Sequence, residues 1–207
     1  MGLFITIEGG EGSGKSTLIS KLYNHLALVE KREVVKTFEP GATPLGKSIR
    51  ELLLNQEEAV ITPKAELLLF LADRAHHIET VIRPALKEGK IVLCDRFTDS
   101  SRAYQGARGG IAGLEDLCSL ASNHLTPDLT FFLDVDPVIG LSRLARKKDR
   151  LEKEKIDFHQ KVRQEYLRLA EKEPDRFVIL NAMHSPEELF EAALGKVKHE
   201  LFRASAL

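Results

Sequence analysis

The sequence predicts a three-layer α/β domain, in which helices flank a five-stranded parallel sheet. Five short runs are rich in β-branched and aromatic residues, as buried parallel strands are. Between them lie stretches with helical spacing of apolar residues, and this alternation is typical of a parallel sheet with right-handed crossovers. A chain of 207 residues can bury a real core, and no linker rich in Pro, Gly or Ser divides it. We therefore expect a single domain over residues 1–207.

The predicted elements follow one another along the whole chain. The strands are LFITI at 3–7, VVKTF at 34–38, IVLCD at 91–95, LTFFLDV at 129–135 and RFVIL at 176–180. The helices are marked by Leu18, Leu22 and Leu26, by Leu45, Ile49, Leu52 and Leu53, by the apolar stretch 66–86, by Val162, Leu167 and Leu169, and by the closing stretch 189–202. Each apolar face is expected to pack against the sheet.

Composition limits the classes of partner. Hydrophobic residues make up 43% of the chain and charged residues 29%, which is ordinary for a soluble enzyme. The net charge of −1 gives no electrostatic reason to expect a nucleic acid polymer or a membrane as partner. Apolar runs such as 66–72 are too short to span a bilayer, and the N-terminus has no basic segment of a secretory signal. The two cysteines, Cys94 and Cys118, are expected to be buried thiols of a cytoplasmic protein.

A phosphate-binding motif follows the first predicted strand. The residues GGEGSGKS at 9–16 fit the pattern G-x-x-x-x-G-K-S/T, and they lie between a strand and an amphipathic helix, which is the context that supports the motif. Glycines allow positive φ and bring backbone N–H groups close to phosphate oxygens. Lys15 is expected to reach the β- and γ-phosphates of ATP, and the Ser16 hydroxyl to ligate Mg²⁺. The residues predicted to bind ATP here are Gly10, Glu11, Gly12, Ser13, Gly14, Lys15, Ser16 and Thr17.

A second polar group follows the third predicted strand. Asp95 ends that strand, where a carboxylate can hold the Mg²⁺ shell directly or through water. Arg96 can clamp a further phosphate with two hydrogen bonds, although an Asp–Arg pair can also be a plain salt bridge. The hydroxyls, ring and amide of Ser101, Tyr104 and Gln105 suit a nucleobase or a sugar, although turns also favour such small polar residues.

Nearly the whole chain, from Leu3 to about Ala182, resembles the bacterial thymidylate kinases, which belong to the P-loop nucleoside monophosphate kinases. Five stretches carry the resemblance, in the order and spacing of that family: FITIEGGEGSGKSTL, TFEPGATPLGKSIRELLL, ELLLFLADRAHHIETVIRPAL, VLCDRFTDSSRAYQGARGG and FFLDVDPVIGLSRLARKKDRLE. The resemblance implies a P-loop kinase fold with a short basic lid and a homodimer formed through the long apolar helices. It also implies transfer of the γ-phosphoryl group of ATP to dTMP, giving dTDP and ADP for dTTP synthesis.

The resemblance also implies how the acceptor nucleotide is bound. Phe70 corresponds to the ring that stacks on thymine, and Arg74, one helical turn further on, to the residue that reaches a base carbonyl. Ser101 and Gln105 correspond to the groups that contact the base edge. Tyr104 corresponds to the ring near the 2′ position of the sugar, where it would exclude a ribose hydroxyl.

The same resemblance implies three further roles, and the sequence departs from the family pattern at two positions. Arg96 corresponds to the clamp on the acceptor phosphate, and Glu11 to an acid that faces the acceptor nucleotide, since a carboxylate beside the phosphates of ATP would be repulsive. Asn181 begins the loop that covers adenine. Phe38, expected to contact the substrate, and Ala42 depart from the family pattern, which has arginine and glycine there, so a contact made by that arginine is lost.

The basic stretch at 142–155 is either a solvated helix face or a lid over the phosphates. Phosphoryl transfer needs cations around the moving group, and the loop residues Glu11, Gly12 and Ser13 supply none. We therefore expect a lid at about 142–156. Arg146 and Arg150 match the lid arginines of the bacterial pattern best.

Two other functions share some of these features. A kinase for another nucleoside monophosphate or for a deoxynucleoside would have the phosphate loop, but not EPGATPLG together with SSRAYQG. A nucleotide-dependent switch or regulatory ATPase would have no use for an acceptor pocket. The acceptor residues therefore favour a kinase for dTMP.

Overall fold

The computed structural model describes residues 2–55, 61–145 and 149–205, and over these residues the chain forms a five-stranded parallel sheet flanked by helices. The strands are β1 (Leu3–Gly9), β2 (Val34–Phe38), β3 (Ile91–Asp95), β4 (Leu129–Asp134) and β5 (Phe177–Asn181), in the order β2-β3-β1-β4-β5. The sheet class and the five predicted strands are confirmed. Two strands have the predicted bounds, two differ by one or two residues at one end, and β5 is shifted by one residue at both ends.

The helices occupy the connections between strands. They are α1 (Lys15–Asn24), α2 (Pro44–Arg50), α3 (Pro63–His77), α4 (Arg83–Lys87), α5 (Thr98–Arg108), α6 (Leu114–Ser122), α7 (Pro137–Ser142), α8 (Ile156–Lys172) and α9 (Pro186–Ser205). Short π-helical segments continue α1 at His25–Val29 and α2 at Glu51–Asn55, and a third at Ile78–Ile82 joins α3 to α4. The apolar stretch predicted at 66–86 is therefore helical throughout. Helices α5, α6 and α7 were not predicted.

The alternation of side chains along β1 divides the core. Ile5 and Ile7 pack with Leu18 and Leu22 of α1, on the side of the sheet where α9 also packs. On the opposite side Phe4 packs with Phe97. Glu8, four residues after Phe4 on the same strand, lies on this same face, which α5 and α8 cover. A carboxylate is therefore buried at the end of the central strand, beside the phosphate-binding loop.

Both cysteines are buried free thiols, as expected. Across the described ranges, none of the helices combines the length and apolar character needed to cross a membrane.

Candidate active site

A cavity of about 410 Å³ lies at the C-terminal ends of β1 and β3. Its volume is in the range of sites that bind small molecules. Segments far apart in the sequence meet there because the carboxyl ends of parallel strands share one edge of the sheet. The predicted site residues that line it are Glu11, Gly12, Ser13, Gly14, Lys15, Ser16, Thr17, Phe38, Phe70, Arg74, Asp95, Arg96, Ser101, Tyr104 and Gln105.

The phosphate-binding loop is shaped by glycine and by a close backbone contact. Gly12 and Gly14 have φ of +66° and +96°, which favour glycine. A Cβ added at Gly12 would overlap the carbonyl oxygen of Gly140 in α7, and one at Gly140 would overlap that of Glu11. The Lys15 Nζ donates to the carbonyl oxygens of Gly9 and Gly10 at 3.1 and 2.8 Å. Burial and the nearby charge of Arg96 lower the pKa of Lys15.

Two oxygen ligands at this loop suit a magnesium ion. Asp95 lies at the end of β3, and its Oδ1 is buried without a hydrogen-bond partner among the described residues. Ser16 lies in the first turn of α1 and is exposed to the cavity. Hard cations prefer carboxylate and hydroxyl oxygens, and an unpaired buried carboxylate oxygen is costly unless a ligand meets it. These residues therefore fit the predicted metal role.

The Glu11 side chain is hydrogen-bonded to two residues that follow β3 in the chain. Its Oε1 accepts hydrogen bonds from Arg96 Nη2 at 2.7 Å and from the Tyr104 hydroxyl at 2.9 Å. Burial raises the pKa of Glu11, but the charges of Arg96 and Lys15 outweigh burial and bring it down to about 2. The carboxylate is therefore ionised and held next to Arg96, whose guanidinium also lies 5.2 Å from the centre of the Tyr104 ring.

Glu8 joins three elements behind the cavity. Its carboxylate accepts hydrogen bonds from the backbone N–H of Phe97 at 2.7 Å, from the Ser100 hydroxyl at 2.6 Å and from the Tyr166 hydroxyl at 2.8 Å. Arg96 Nη1 donates to the same Ser100 hydroxyl at 3.3 Å. Burial raises the pKa of Glu8 to about 7. Glu8 accepts a backbone hydrogen bond at the end of its strand and holds Ser100 and Tyr166, so its role is structural.

Arg74 is buried in the wall of the cavity and has three hydrogen-bond partners. Its Nε donates to Glu39 Oε2 at 2.8 Å, its Nη1 to Ser101 Oγ at 2.9 Å and its Nη2 to the Phe97 carbonyl at 2.9 Å. The side chain is 2% exposed, so this arginine is not a surface residue. Phe70 lies one turn earlier on α3 and also lines the cavity. The geometry therefore places a ring and a fixed cation on one side of the cavity.

Of the predicted lid residues, the structure does not bring Arg150 to the phosphate-binding loop. Arg150 Nε donates to the carbonyl oxygen of Leu53 at 3.0 Å, and its Nη2 forms an ion pair with Glu66. Arg146 lies outside the described residues. Arg143 does contact the loop, because its Nη1 donates to the carbonyl oxygens of Gly12 and Ala182, both at 3.2 Å.

Asn181 lies at the end of β5 and does not line the cavity described above. Its Oδ1 accepts a hydrogen bond from the backbone N–H of Met183 at 3.0 Å, which closes a tight turn after the strand. Arg143 links this turn to the phosphate-binding loop, because it donates hydrogen bonds to the carbonyl oxygens of both Ala182 and Gly12. The predicted adenine loop is therefore next to the phosphate-binding loop.

Several charged residues of the site escaped the sequence analysis. Asp73 lines the cavity and accepts a hydrogen bond from Gly41 N at 3.2 Å; burial and the charge of Glu39 raise its pKa to about 6. Arg50 Nη1 donates to the Pro40 carbonyl at 2.8 Å and lies 5.8 Å from the Phe38 ring. The sequence offered one signal for these residues: Asp73 is a charged residue within a predicted apolar helix, and such a residue often has a functional partner.

The loop, the strand order and the adjoining cavity define a P-loop kinase. A family model described as thymidylate kinase matches residues 7–193, which is most of the chain. The chain therefore belongs to the thymidylate kinase family.

Individual relatives agree with that assignment. A curated thymidylate kinase of Protochlamydia amoebophila (strain UWE25) is 50% identical over 205 residues, covering 93% of this chain and 91% of the relative. One of Lactobacillus acidophilus is 41% identical, with 97% and 95% covered. The crystal structure of thymidylate kinase from Ehrlichia chaffeensis aligns with a TM-score of 0.77 at 32% identity and covers 95% of this chain and 98% of that one.

Proposed function

We propose that this protein, acting as a single P-loop kinase domain, transfers the γ-phosphoryl group of ATP to dTMP and releases dTDP and ADP, a step in dTTP synthesis. The observation that carries the proposal is that one cavity joins the phosphate-binding loop to a buried wall with the chemistry of a nucleobase site. A phosphoryl group can then pass between two bound nucleotides without crossing solvent.

At the donor end, backbone N–H groups and Lys15 hold the phosphates of ATP. Ser16 and Asp95 would hold Mg²⁺, which would neutralise charge on the phosphates of ATP. Lys15 must leave its own carbonyl partners, Gly9 and Gly10, to reach a phosphate. The partial positive charge at the N-terminus of α1 favours the same anion.

At the acceptor end, Arg96 binds the phosphate of dTMP. This phosphate is the nucleophile and is already ionised near neutral pH, so the reaction needs no strong general base. Glu11 is bound to Arg96 and Tyr104, so its carboxylate lies on the acceptor side of the loop and keeps Arg96 in position.

The base and sugar of dTMP meet the wall formed by α3 and α5. Phe70 stacks on the base, and Arg74, Ser101 and Gln105 provide polar groups to its edge. Tyr104 is buried, with its hydroxyl held by Glu11, so its ring has little freedom to make room for a 2′-hydroxyl. This arrangement favours a deoxynucleotide.

The lid arginines Arg146 and Arg150 supply the cations that the transition state requires. The loop residues Glu11, Gly12 and Ser13 carry no positive charge. Lys15 and Arg96 line the cavity, and the other described arginines of its lining, Arg50 and Arg74, are held by Pro40 and by Glu39. Arg150 leaves its ion pair with Glu66 and binds the phosphates instead. Closure of the lid at the same time excludes water from the reaction.

The test is ADP release from ATP and Mg²⁺ with dTMP, dUMP, the ribonucleotide of thymine and dCMP offered separately. We expect kcat/KM to be highest for dTMP and lowest for dCMP, with the ribonucleotide disfavoured by Tyr104. Equal turnover of all four acceptors would overturn the substrate assignment, and ADP release without any acceptor would indicate a regulatory ATPase instead.

We also propose a cytoplasmic homodimer, formed through the outer face of α3. Leu68 is 48% exposed there, Ala72 and Ala75 are exposed on the same face, and Leu120 of the adjacent α6 is 75% exposed. A contiguous apolar face of this kind is typical of an interface. The two free, buried cysteines suit a reducing compartment. Light scattering should give twice the chain mass of 23.2 kDa for the wild type, and Leu68→Glu should shift it to the monomer.

A further inference from the structure

Glu66 lies behind the wall of the cavity and does not line it. The side chain is in the first turn of α3 and is 1% exposed. Its Oε1 accepts a hydrogen bond from Gln105 Nε2 at 3.2 Å, and its Oε2 is paired with Arg150. Arg108 Nε lies 3.5 Å from Oε1. The carboxylate of Glu66 thus lies between two guanidinium groups, and a carboxylate in such ion pairs accepts hydrogen bonds but donates none.

The orientation of the Gln105 amide follows from this neighbour. Because Glu66 cannot donate, the amide end that faces it must be the NH₂ group. The amide oxygen is therefore the end left for a ligand. Gln105 is 1% exposed and lines the cavity, and its Oε1 has no hydrogen-bond partner in the part of the chain that the structure describes. An unpaired buried oxygen of this kind favours a ligand that donates a hydrogen bond.

We propose that Glu66 is a positioning residue for base selectivity: it fixes the Gln105 amide so that the site prefers a base with a ring N–H at its pairing edge. This inference rests on the proposed function. Thymine and uracil carry a hydrogen at N3, whereas the N3 of cytosine is an acceptor and would oppose the oxygen of Gln105. If the Gln105 amide turned to donate to cytosine, its oxygen would face the carboxylate of Glu66. This repulsion would weaken the binding of cytosine relative to thymine.

The experiment compares dTMP with 5-methyl-dCMP, which keeps the methyl group and the 2-carbonyl group but has a hydrogen-bond acceptor in place of N3–H. For the wild type we expect kcat/KM to be about 10- to 100-fold lower with 5-methyl-dCMP, because its N3 opposes Gln105 Oε1. In Glu66→Gln the new amide can donate to Gln105, which is then free to turn, so the ratio should fall by about threefold or more, whereas the change at position 4 of the base acts alike in both proteins. dUMP, which keeps N3–H, should show the same ratio to dTMP in both proteins.

The ratio separates this role from a general structural one. Loss of the ion pair with Arg150 changes the lid for every acceptor alike, so it moves kcat but not the ratio between two bases. Glu79→Gln removes the same charge from an exposed position on the π-helical segment after α3 and should leave the ratio at the wild-type value.

The outcomes distinguish this inference from the proposed function. A wild-type enzyme that fails to phosphorylate dTMP would overturn the proposed function itself. A wild type that is active on dTMP but indifferent to the loss of N3–H would overturn only the role of Gln105 and Glu66, and this readout does not depend on any variant. A ratio that stays at its wild-type value in Glu66→Gln would show that the amide is fixed by something else.

Discussion

The two ends of the cavity are built in different ways. At the phosphate-binding loop, the proposed donor end, the main chain makes the site: glycines at positive φ expose N–H groups, and Gly12 approaches the backbone of α7 too closely for any side chain. At the wall formed by α3 and α5, the proposed acceptor end, side chains make it, and they are held by other side chains, as Arg74 is by Glu39 and Ser101. We therefore expect substitutions that add atoms to impair binding at the proposed donor end, and substitutions that remove side-chain atoms to impair binding at the proposed acceptor end.

The largest effect is expected from Arg150, the cation that the proposed mechanism brings to the phosphates. Arg150→Ala should lower kcat by about 10³-fold or more, because a transition-state arginine contributes about 10³–10⁵ in this chemistry. The affinity for ATP should change far less, since in the proposed mechanism backbone groups and Lys15 hold the phosphates. Single-turnover rates and ATP titration measure the two quantities. Arg168→Ala, which removes an exposed arginine paired with Glu165 on α8, is the control. An unchanged kcat would show that Arg150 does not act on the transition state and that its role is limited to the ion pair with Glu66.

An intermediate effect is expected from one added carbon at the donor end. In Gly140→Ala the new Cβ overlaps the carbonyl oxygen of Glu11, so the phosphate-binding loop must shift. Overpacking of this kind costs about 1–3 kcal/mol, which corresponds to a roughly 5- to 150-fold rise in the KM for ATP. The KM for dTMP should rise less. Gly195→Ala is the control, because a Cβ there meets no atom within 4 Å. Equal rises for both substrates would show that the two ends are not independent.

The smallest effect is expected from a half-exposed ring at the acceptor end. Phe38 is 43% exposed, and the guanidinium of Arg50 lies 5.8 Å from its ring. Such an exposed contact contributes about 0.5–1 kcal/mol, so Phe38→Ala should raise the KM for dTMP by about fivefold or less. The similarly exposed Leu45→Ala serves for comparison. A rise of an order of magnitude or more would mean that the ring itself packs on the nucleotide.

The strands were predictable because parallel strands buried on both faces are continuous apolar runs. Helix α5 was not, because the residues that it buries are mostly polar: Thr98, Asp99, Ser101 and Gln105 lie inside with Ala103 and Tyr104. A helix with a polar buried face has no apolar period for the sequence to display. Its polar residues were nevertheless singled out, as groups suited to a base or sugar.

The same difference separates the two ends of the site. The phosphate-binding loop is a local motif, so its residues could be named from eight consecutive positions. The roles of Glu66 and Asp73 depend on partners distant in sequence: Glu66 pairs with a residue 84 positions away and Asp73 with one 32 positions away. No spacing rule covers such pairs, and only the folded chain shows them.

The anchoring of α7 and α8 has a consequence for the proposed lid. Gly140 of α7 packs on the backbone of Glu11, and Tyr166 of α8 is hydrogen-bonded to Glu8, so the helices that flank the proposed lid are both attached to β1 and its loop. Because the two flanking helices are fixed in this way, we expect inserted residues between them to lower kcat without unfolding the protein.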